Sequence, residues 1–500
     1  MTATTEVRVR YAPSPTGDPH LGSVRTALFN WLFARKHNGT FVLRIEDTDQ
    51  ERLVDTSVLA IMEGMQWLGL DWDEGPAKDA RGGKGPFGPY FQSQRLPLYH
   101  THAEQLIRNG HAYRCFCTPA RLEAVRRAQQ QQKVPPGYDR HCRDLPASEV
   151  ERQMAAGTPS VVRFRVPLEG VASVHDLVRG DVTWERKLLD DFVLLKSDGF
   201  PTYHLANIVD DHYMQISHVM RAEEWLPSTP RHLMLYEAFG WQPPQYAHLP
   251  LMLGSDRSKL SKRHGSTSVL AYRDEGYLPD AMVNFLALLG WSLDDKTEVI
   301  QRADLIKHFS IERITKSGAI FNPEKLMWIN GVYLRALPVP DLAEKLAPFL
   351  EKPAADGGLP DTIKRPLDKA YVRALAPLIQ ERLRVLSEGP ELASFFFEEQ
   401  LAYDAALLVQ KGMDSAGTLH ALKLAAQHLE AAQQWETHAL ETPMRALAEQ
   451  LNLKTGQLFG AIRVAVTGQT ATPPLFQTME VLGKARCMSR LHHAINLLSA

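Results

Sequence analysis

The sequence predicts an α/β chain that turns all-α in its C-terminal third. Three observations carry this. Strand, loop, helix and strand signals alternate through the first 45 residues; short strand candidates then mix with helices between 97 and 199; and beyond about residue 336 the chain reads as Ala/Leu-rich helices with little strand signal. At 500 residues the chain exceeds what one core serves, so about three domains or more are expected.

Composition narrows the class. Hydrophobic residues make up 44% and charged residues 23%, which argues against disordered and fibrous chains. Four cysteines cannot form a disulfide framework and fit a reducing compartment, so a cytoplasmic location is expected. No basic run with a following apolar stretch opens the chain, and no 18-residue uncharged apolar segment occurs, so neither secretion nor a membrane partner is expected. A formal net charge of -2 excludes a uniformly basic nucleic-acid binder, yet charge is unevenly placed. Residues 391–450 sum to -6 and residues 451–500 to +4; differently solvated helical faces would account for this equally well.

Taken in order, Val7 to Ala12 suits a short strand, and Pro13-Ser14-Pro15-Thr16-Gly17-Asp18-Pro19 a turn-rich loop. A helix follows with Ser23 as the expected N-cap; Val24, Ala27, Leu28, Trp31 and Leu32 recur at helical spacing until His37-Asn38-Gly39. Phe41 to Ile45 reads as a buried strand running into Glu46-Asp47-Thr48-Asp49. In such a βαβ unit the Pro/Gly loop and the acidic cluster should share one crevice at the carboxyl ends of the strands. Residues 78–92 form a glycine-rich connection and 96–109 a helix. The stretch 97–199 reads as an insertion with a Gln-rich helix at 121–133 and strand candidates at 161–166, 180–184 and 192–195; a parallel sheet resumes near Thr202 and continues to about 255.

Two segments carry chemistry. In the loop from Pro13 to Gly22, prolines fix the path and glycines permit close backbone approach, while the next helix offers free N–H groups to phosphate; His20 can donate to a phosphoryl oxygen. A rigid strand-to-helix turn with a satisfied histidine fits the same residues. The segment Asp256-Arg257-Ser258-Lys259-Leu260-Ser261-Lys262-Arg263-His264-Gly265 gathers cations and hydroxyls that could close over a polyphosphate and neutralise charge on a transferring phosphoryl group. A solvated surface run is the plainer account.

Together the two segments resemble the paired motifs of class I aminoacyl-tRNA synthetases, and the chain is similar to the bacterial glutamyl-tRNA synthetases of that family. The likeness extends through Arg10 to Gly17, Arg44 to Asp49, Tyr203-His204-Leu205-Ala206, Val209-Asp210-Asp211-His212, Arg221-Ala222-Glu223-Glu224-Trp225, Phe321 to Leu326 and Arg463 to Gly468. It implies a Rossmann-type catalytic domain over 1–96 and 200–255, an acceptor-binding insertion over 97–199, a stem-contact domain over 256–335 and an α-helical anticodon-binding domain over 336–500.

The resemblance further implies ATP and Mg as cofactors, L-glutamate and tRNA(Glu) as partners, and a monomer that forms glutamyl-adenylate and transfers glutamate to the tRNA 3' end. His20 and Lys262 would stabilise the charged transition state at the α-phosphate, with Lys259 and Arg263 supporting the loop. Arg10, Ala12, Ser14, Glu46, Tyr203 and Arg221 fall where the family contacts glutamate; Gly17, Gly22, Glu224 and Met252 fall around ATP. Arginines can grip carboxylates in a fork, and Glu46 can pair with the substrate ammonium. Glutamine would leave part of the arginine pair unmatched, a loss on the order of a hundredfold or more. Arg382 falls near the position associated with reading the third anticodon base and rejecting tRNA(Gln); helix-face solvation explains it equally.

Cys115, Cys117 and Cys142, with Tyr138 between, sit where some relatives hold structural zinc. Three thiolates and a fourth ligand would satisfy tetrahedral zinc. The first pair is spaced by one residue, and Asp144 stands where some relatives place histidine, so His141 or Tyr138 would have to complete the set. Buried free thiols are the other reading; Cys487 reads as a packed helical cysteine. Alternatives to a discriminating ligase are an enzyme that also charges tRNA(Gln), a glutamine-specific relative, a shortened tRNA-modifying relative and an inactive tRNA-binding paralogue. The helical tail argues against the second and third, and intact His20 and loop lysines against the last.

Overall fold

The computed structural model describes residues 6–54, 56–77 and 82–499, apart from the side chain of Lys262. Residues 78–81 of the expected glycine-rich connection thus lie outside the described residues. The chain divides into two compact units, one of residues 1–274 and 279–326, the other of 275–278 and 327–500.

The first unit is built around parallel strands. Arg8–Tyr11 pairs in parallel with Thr40–Leu43, joined by the helix Leu21–Lys36. This helix forms because apolar residues cover most of its surface: Leu21, Val24, Ala27, Leu28, Phe29 and Leu32 are all at most 1% exposed. Arg35 and Lys36 meet the negative end of its dipole. It stops where Asn38 takes a left-handed φ of 51°, and Gly39 is required next, since a Cβ there would sit 2.2 Å from the Val7 carbonyl oxygen. The N-cap is His20 and not Ser23, three residues earlier than the periodicity suggested. The reason is local: His20 Nδ1 accepts the Gly22 N–H at 3.1 Å, while Ser23 Oγ is engaged with Tyr11 Oη at 2.5 Å.

Ser217 N donates to the Arg8 carbonyl at 2.9 Å, tying the first strand to the start of His218–Ala222. That strand pairs in parallel with Gln245–Leu249, so the parallel arrangement expected between 202 and 255 is present. Its neighbour is unexpected in kind. The strand Val171–Asp176 joins Gln245–Leu249 through the pair Tyr246 and Asp176, and carries Gly180–Glu185 antiparallel at the edge. A separate antiparallel sheet orders Ala112–Cys115, Val161–Phe164 and Val193–Leu195. Two cores fill the unit. One packs Val42, Tyr90, Met214, Ile216, Val219 and Tyr246; the larger includes Tyr99, Phe164, Leu194, Leu205, Leu235 and Phe239.

The second unit is helical among its described residues, with principal helices Val339–Glu351, Lys369–Gln380, Gly389–Phe397, Ser415–Ala431, Thr437–Gln450, Thr455–Thr467, Leu475–Leu482 and Lys484–Ser499. Leu422, Ala425, Leu458, Ile462, Met479 and Leu491 are each fully buried, as the Ala/Leu spacing requires. Among the described residues no helix is long and apolar enough to cross a membrane.

Candidate active site

The ends of the parallel strands open into a cavity of about 1120 Å³ in the first unit. Arg10, Ala12, Ser14, His20, Gly22, Glu46, Tyr203, Arg221, Glu224, Met252 and Lys259 all line it. Gly17 and Arg263 do not. Gly17 takes a φ of 147° in the loop, and Arg263 is exposed, with Nη2 3.2 Å from Asp256 Oδ2. The backbone of Lys262 begins a short 3-10 turn ending at His264; its side chain lies outside the described residues.

The Pro-rich loop is pinned by backbone bonds. Glu46 N donates to the Pro13 carbonyl at 3.0 Å and Val54 N to the Pro15 carbonyl at 3.0 Å. The acidic cluster and the loop therefore meet at one crevice. The histidine loop is tied to the residues just after the cationic segment: Leu21 N donates to the Thr267 carbonyl at 2.9 Å, Val269 N to the Pro19 carbonyl at 3.2 Å, and His20 bridges Ser268, while Lys259 of that segment lines the same cavity as His20. A hairpin carries the cationic stretch back toward the cavity, with Leu260 N donating to the Met252 carbonyl at 2.9 Å.

Electrostatics follow from these contacts. Because Nδ1 of His20 accepts a backbone N–H, its neutral ring carries the proton on Nε2, leaving a donor free. Burial, then the nearby Lys259 ammonium, lowers the His20 pKa and favours that neutral ring. Lys259 is itself ion-paired with Glu224. Glu46 Oε1 accepts from Arg44 Nη2 at 2.9 Å; burial nevertheless outweighs this guanidinium and raises the Glu46 pKa.

The two candidate carboxylate-gripping arginines differ. Arg10 Nε donates to Asp211 at 3.1 and 3.3 Å, so its charge is already matched. Arg221 is 5% exposed, and among the described residues no carboxylate lies within ion-pairing distance of it. Its donors go to neutral acceptors: Nη1 to Tyr203 Oη at 2.9 Å, Nη2 to Thr229 Oγ1 at 3.0 Å. Trp225 lies against Tyr203 with centroids 4.5 Å apart and the rings tilted by 42°.

Sequence reasoning missed Asp211 and Arg44 as parts of this site. Arg44 is fully buried and donates to Asp211 Oδ1 at 2.7 Å. The signal was present in the pair Asp210-Asp211, which follows the apolar residues Ile208 and Val209 on the helix Tyr203–Tyr213, since a buried carboxylate demands a cation. Asp210 is met by Arg95 Nε at 2.7 Å, Gln92 Nε2 at 2.9 Å and Tyr99 Oη at 2.8 Å.

The three cysteines converge in the first unit, their sulfurs all within 4.8 Å of one another. Cys117 and Cys142 sulfurs are 3.5 Å apart, and Tyr138 Oη lies 3.3 Å from Cys115 Sγ and 3.6 Å from Cys117 Sγ. Tyr138, not His141, joins them; Asp144 instead pairs with Arg165 at 2.8 Å. In the second unit Arg382 is exposed, its guanidinium held by the Ala471 and Thr472 carbonyls at 3.3 and 2.6 Å.

Residues 6–328 match the family model described as tRNA synthetases class I (E and Q), catalytic domain, and residues 341–495 match an anticodon binding domain. A glutamate–tRNA ligase of Dehalococcoides mccartyi strain 195 is 55% identical over 99% of this chain and 99% of its own. The chain belongs to the glutamate–tRNA ligases. Within that family, the enzyme of Roseiflexus castenholzii is 48% identical over 99% of this chain and 97% of its own. A crystal structure of the glutamate–tRNA ligase of Elizabethkingia meningosepticum with its amino acid superposes with a TM-score of 0.88 at 34% identity, covering 98% of this chain and 99% of that one. This ligase thus joins a class I catalytic domain to a helical anticodon-binding domain.

Proposed function

We propose that the cavity activates L-glutamate with ATP and that the chain transfers the glutamyl group to tRNA(Glu), discriminating against tRNA(Gln). The observation that supports this most is that Arg221, a buried guanidinium with no carboxylate partner among the described residues, lines the same cavity as His20 and Lys259. One group calls for a substrate anion, the others for a phosphate.

The glutamate α-carboxylate attacks the ATP α-phosphorus; the bond to the bridging oxygen breaks and pyrophosphate leaves. Negative charge grows on the α-phosphoryl oxygens, where the His20 Nε2–H donates and the Lys262 ammonium neutralises. Lys259 leaves Glu224 as Glu224 and Met252 take up the nucleotide, while Arg263 braces the loop through Asp256 and Gly22 keeps backbone close to ATP. Magnesium carried with ATP would supply positive charge to the phosphates. Arg10, Ala12, Ser14, Glu46, Tyr203 and Arg221 hold glutamate, Glu46 meeting its ammonium. A ribose hydroxyl of the terminal adenosine then attacks the adenylate carbonyl, its proton is lost and AMP departs.

Residues 97–199 are assigned to the acceptor end of tRNA, 256–335 to the stem and 336–500 to the anticodon, where Arg382 offers donors anchored by two carbonyls to a base edge. Zinc fits the cysteine set: tetrahedral bonding at 2.3 Å separates sulfurs by about 3.8 Å, close to the 3.5 Å between Cys117 and Cys142, with Tyr138 Oη in reach as the fourth donor. Its chemistry there would be structural only. Aminoacylation with radiolabelled glutamate on purified tRNA(Glu) and tRNA(Gln) in parallel tests the reading. Label on tRNA(Glu) alone supports it; label on both replaces discrimination with relaxed charging; label on neither removes it.

A further inference from the structure

Behind Arg221 lies a buried relay that the reaction itself does not require. Arg221 Nε donates to His248 Nε2 at 3.0 Å, and His248 Nδ1 is 2.6 Å from Asp176 Oδ2. His248 is fully buried and Asp176 is 1% exposed. Proton placement follows from donor chemistry. A guanidinium N–H can only donate, so His248 Nε2 must be bare, which puts the imidazole proton on Nδ1 and directs it to Asp176. Asp176 is in turn fixed by backbone N–H groups of Val178 at 3.0 Å, Arg179 at 2.8 Å and His248 at 3.1 Å.

The same logic holds at Nη1. Arg221 Nη1 lies 3.2 Å from His232 Nδ1, so that nitrogen is also bare, and His232 Nε2 meets His204 Nδ1 at 3.2 Å. Burial, with Arg221 adding repulsion, lowers the pKa of both His232 and His248, which keeps both rings neutral. Arg8, Arg10, Arg44 and Arg95 are instead held by carboxylates. Holding Arg221 with neutral acceptors orients it without cancelling its charge.

We infer that Asp176 and His248, together with His232, are positioning residues that set the specificity of Arg221 for an anionic side chain: they aim the guanidinium while leaving its positive charge for the substrate carboxylate. Asp176 acts one residue further away than a direct partner would, so its negative charge selects the His248 tautomer and does not quench Arg221. The inference rests on the proposed role of Arg221 in binding glutamate.

The test measures KM for glutamate and KM for ATP in ATP–pyrophosphate exchange with tRNA(Glu) present, alongside thermal melts. Asp176→Asn keeps the shape but turns an amide donor toward His248 Nδ1, driving the other tautomer and setting Nε2–H against Arg221 Nε–H. KM for glutamate should rise by about tenfold or more, with KM for ATP changed less than about twofold. His248→Leu should do the same, and His248→Gln, whose carbonyl can accept from Arg221, should recover most of the loss. If Asp176→Asn does not fold, the His248 pair decides. Arg221→Lys separates the two levels: should it leave KM for glutamate unchanged, the reading of Arg221 itself fails. Should Arg221→Lys raise it while Asp176→Asn and His248→Leu do not, the relay alone is overturned. Equal loss in both KM values, without rescue by Gln, reduces the relay to core packing and also overturns it.

Discussion

Arg10 and Arg44 share one carboxylate: Asp211 Oδ1 lies 3.1 Å from Arg10 Nε and 2.7 Å from Arg44 Nη1, and all three side chains are at most 4% exposed. Burial alone would raise the Asp211 pKa, but the two guanidiniums outweigh it and hold the carboxylate below its usual range. The network joins the first strand, the residue after the second strand and the helix Tyr203–Tyr213, and its member Arg10 lines the cavity.

Removing that one charge takes from the buried Arg10 its ion-pair partner and leaves Arg44 with Glu46 at 2.9 Å and Asp210 at 3.8 Å. Asp211→Asn is therefore expected to destabilise the first unit by about 3–5 kcal/mol, read as a lower urea midpoint at unchanged slope. A loss under about 1 kcal/mol would mean that Asp211 does not hold Arg10 and Arg44 in place.

The same unit should be acid-sensitive well above the carboxylate range. Burial depresses the pKa of His232, His248 and His20 below the ordinary 6.5, and that of His204 to about 3. Below pH 6.5 the unfolded chain binds protons that the folded chain refuses. Stability is thus fully present above about pH 6.5 and falls on acidification, by up to about 1.4 kcal/mol per pH unit for each of the buried His232, His248 and His204, and by less for the half-buried His20. For His204 the loss continues toward pH 3. Urea titrations at stepped pH check this, and His232→Asn should flatten the slope. A midpoint independent of pH between 6.5 and 5 would contradict it.

These sites show what could and could not be read along the chain. The strand, loop, helix and strand from Arg8 to Leu43 were legible because each is specified by neighbours in sequence: apolar runs, prolines and a terminal glycine. So was the gathering of cavity residues, through its motifs. The hairpin Val171–Glu185 was only half visible, since Ser173 and His175 interrupt the apolar pattern of a strand whose partner lies seventy residues on. The N-cap was misplaced because Ser23 is the better capping residue by type, and only the fold reveals that Tyr11 occupies its hydroxyl. Asp176, His248 and Arg221 carry no common motif; long-range pairing alone unites them.

Metal content gives a third expectation. Among the four clustered groups, Tyr138 Oη accepts from the Cys142 N–H at 2.9 Å and is held against the sulfurs. Purified protein should contain one zinc per chain by mass spectrometry, lost in Cys142→Ser, with lower thermal stability after chelation. Three thiols reacting freely in metal-free, fully stable protein would identify them as unliganded.

The central claim is that the histidine loop and the lysine loop act on one ATP. Glutamate-dependent ATP–pyrophosphate exchange, measured with tRNA(Glu) present in the wild type and in Lys262→Ala, tests it most directly. The account predicts exchange with glutamate and not glutamine in the wild type, reduced about a hundredfold or more in Lys262→Ala with only modest loss of tRNA binding. Near-normal exchange in the variant would contradict it.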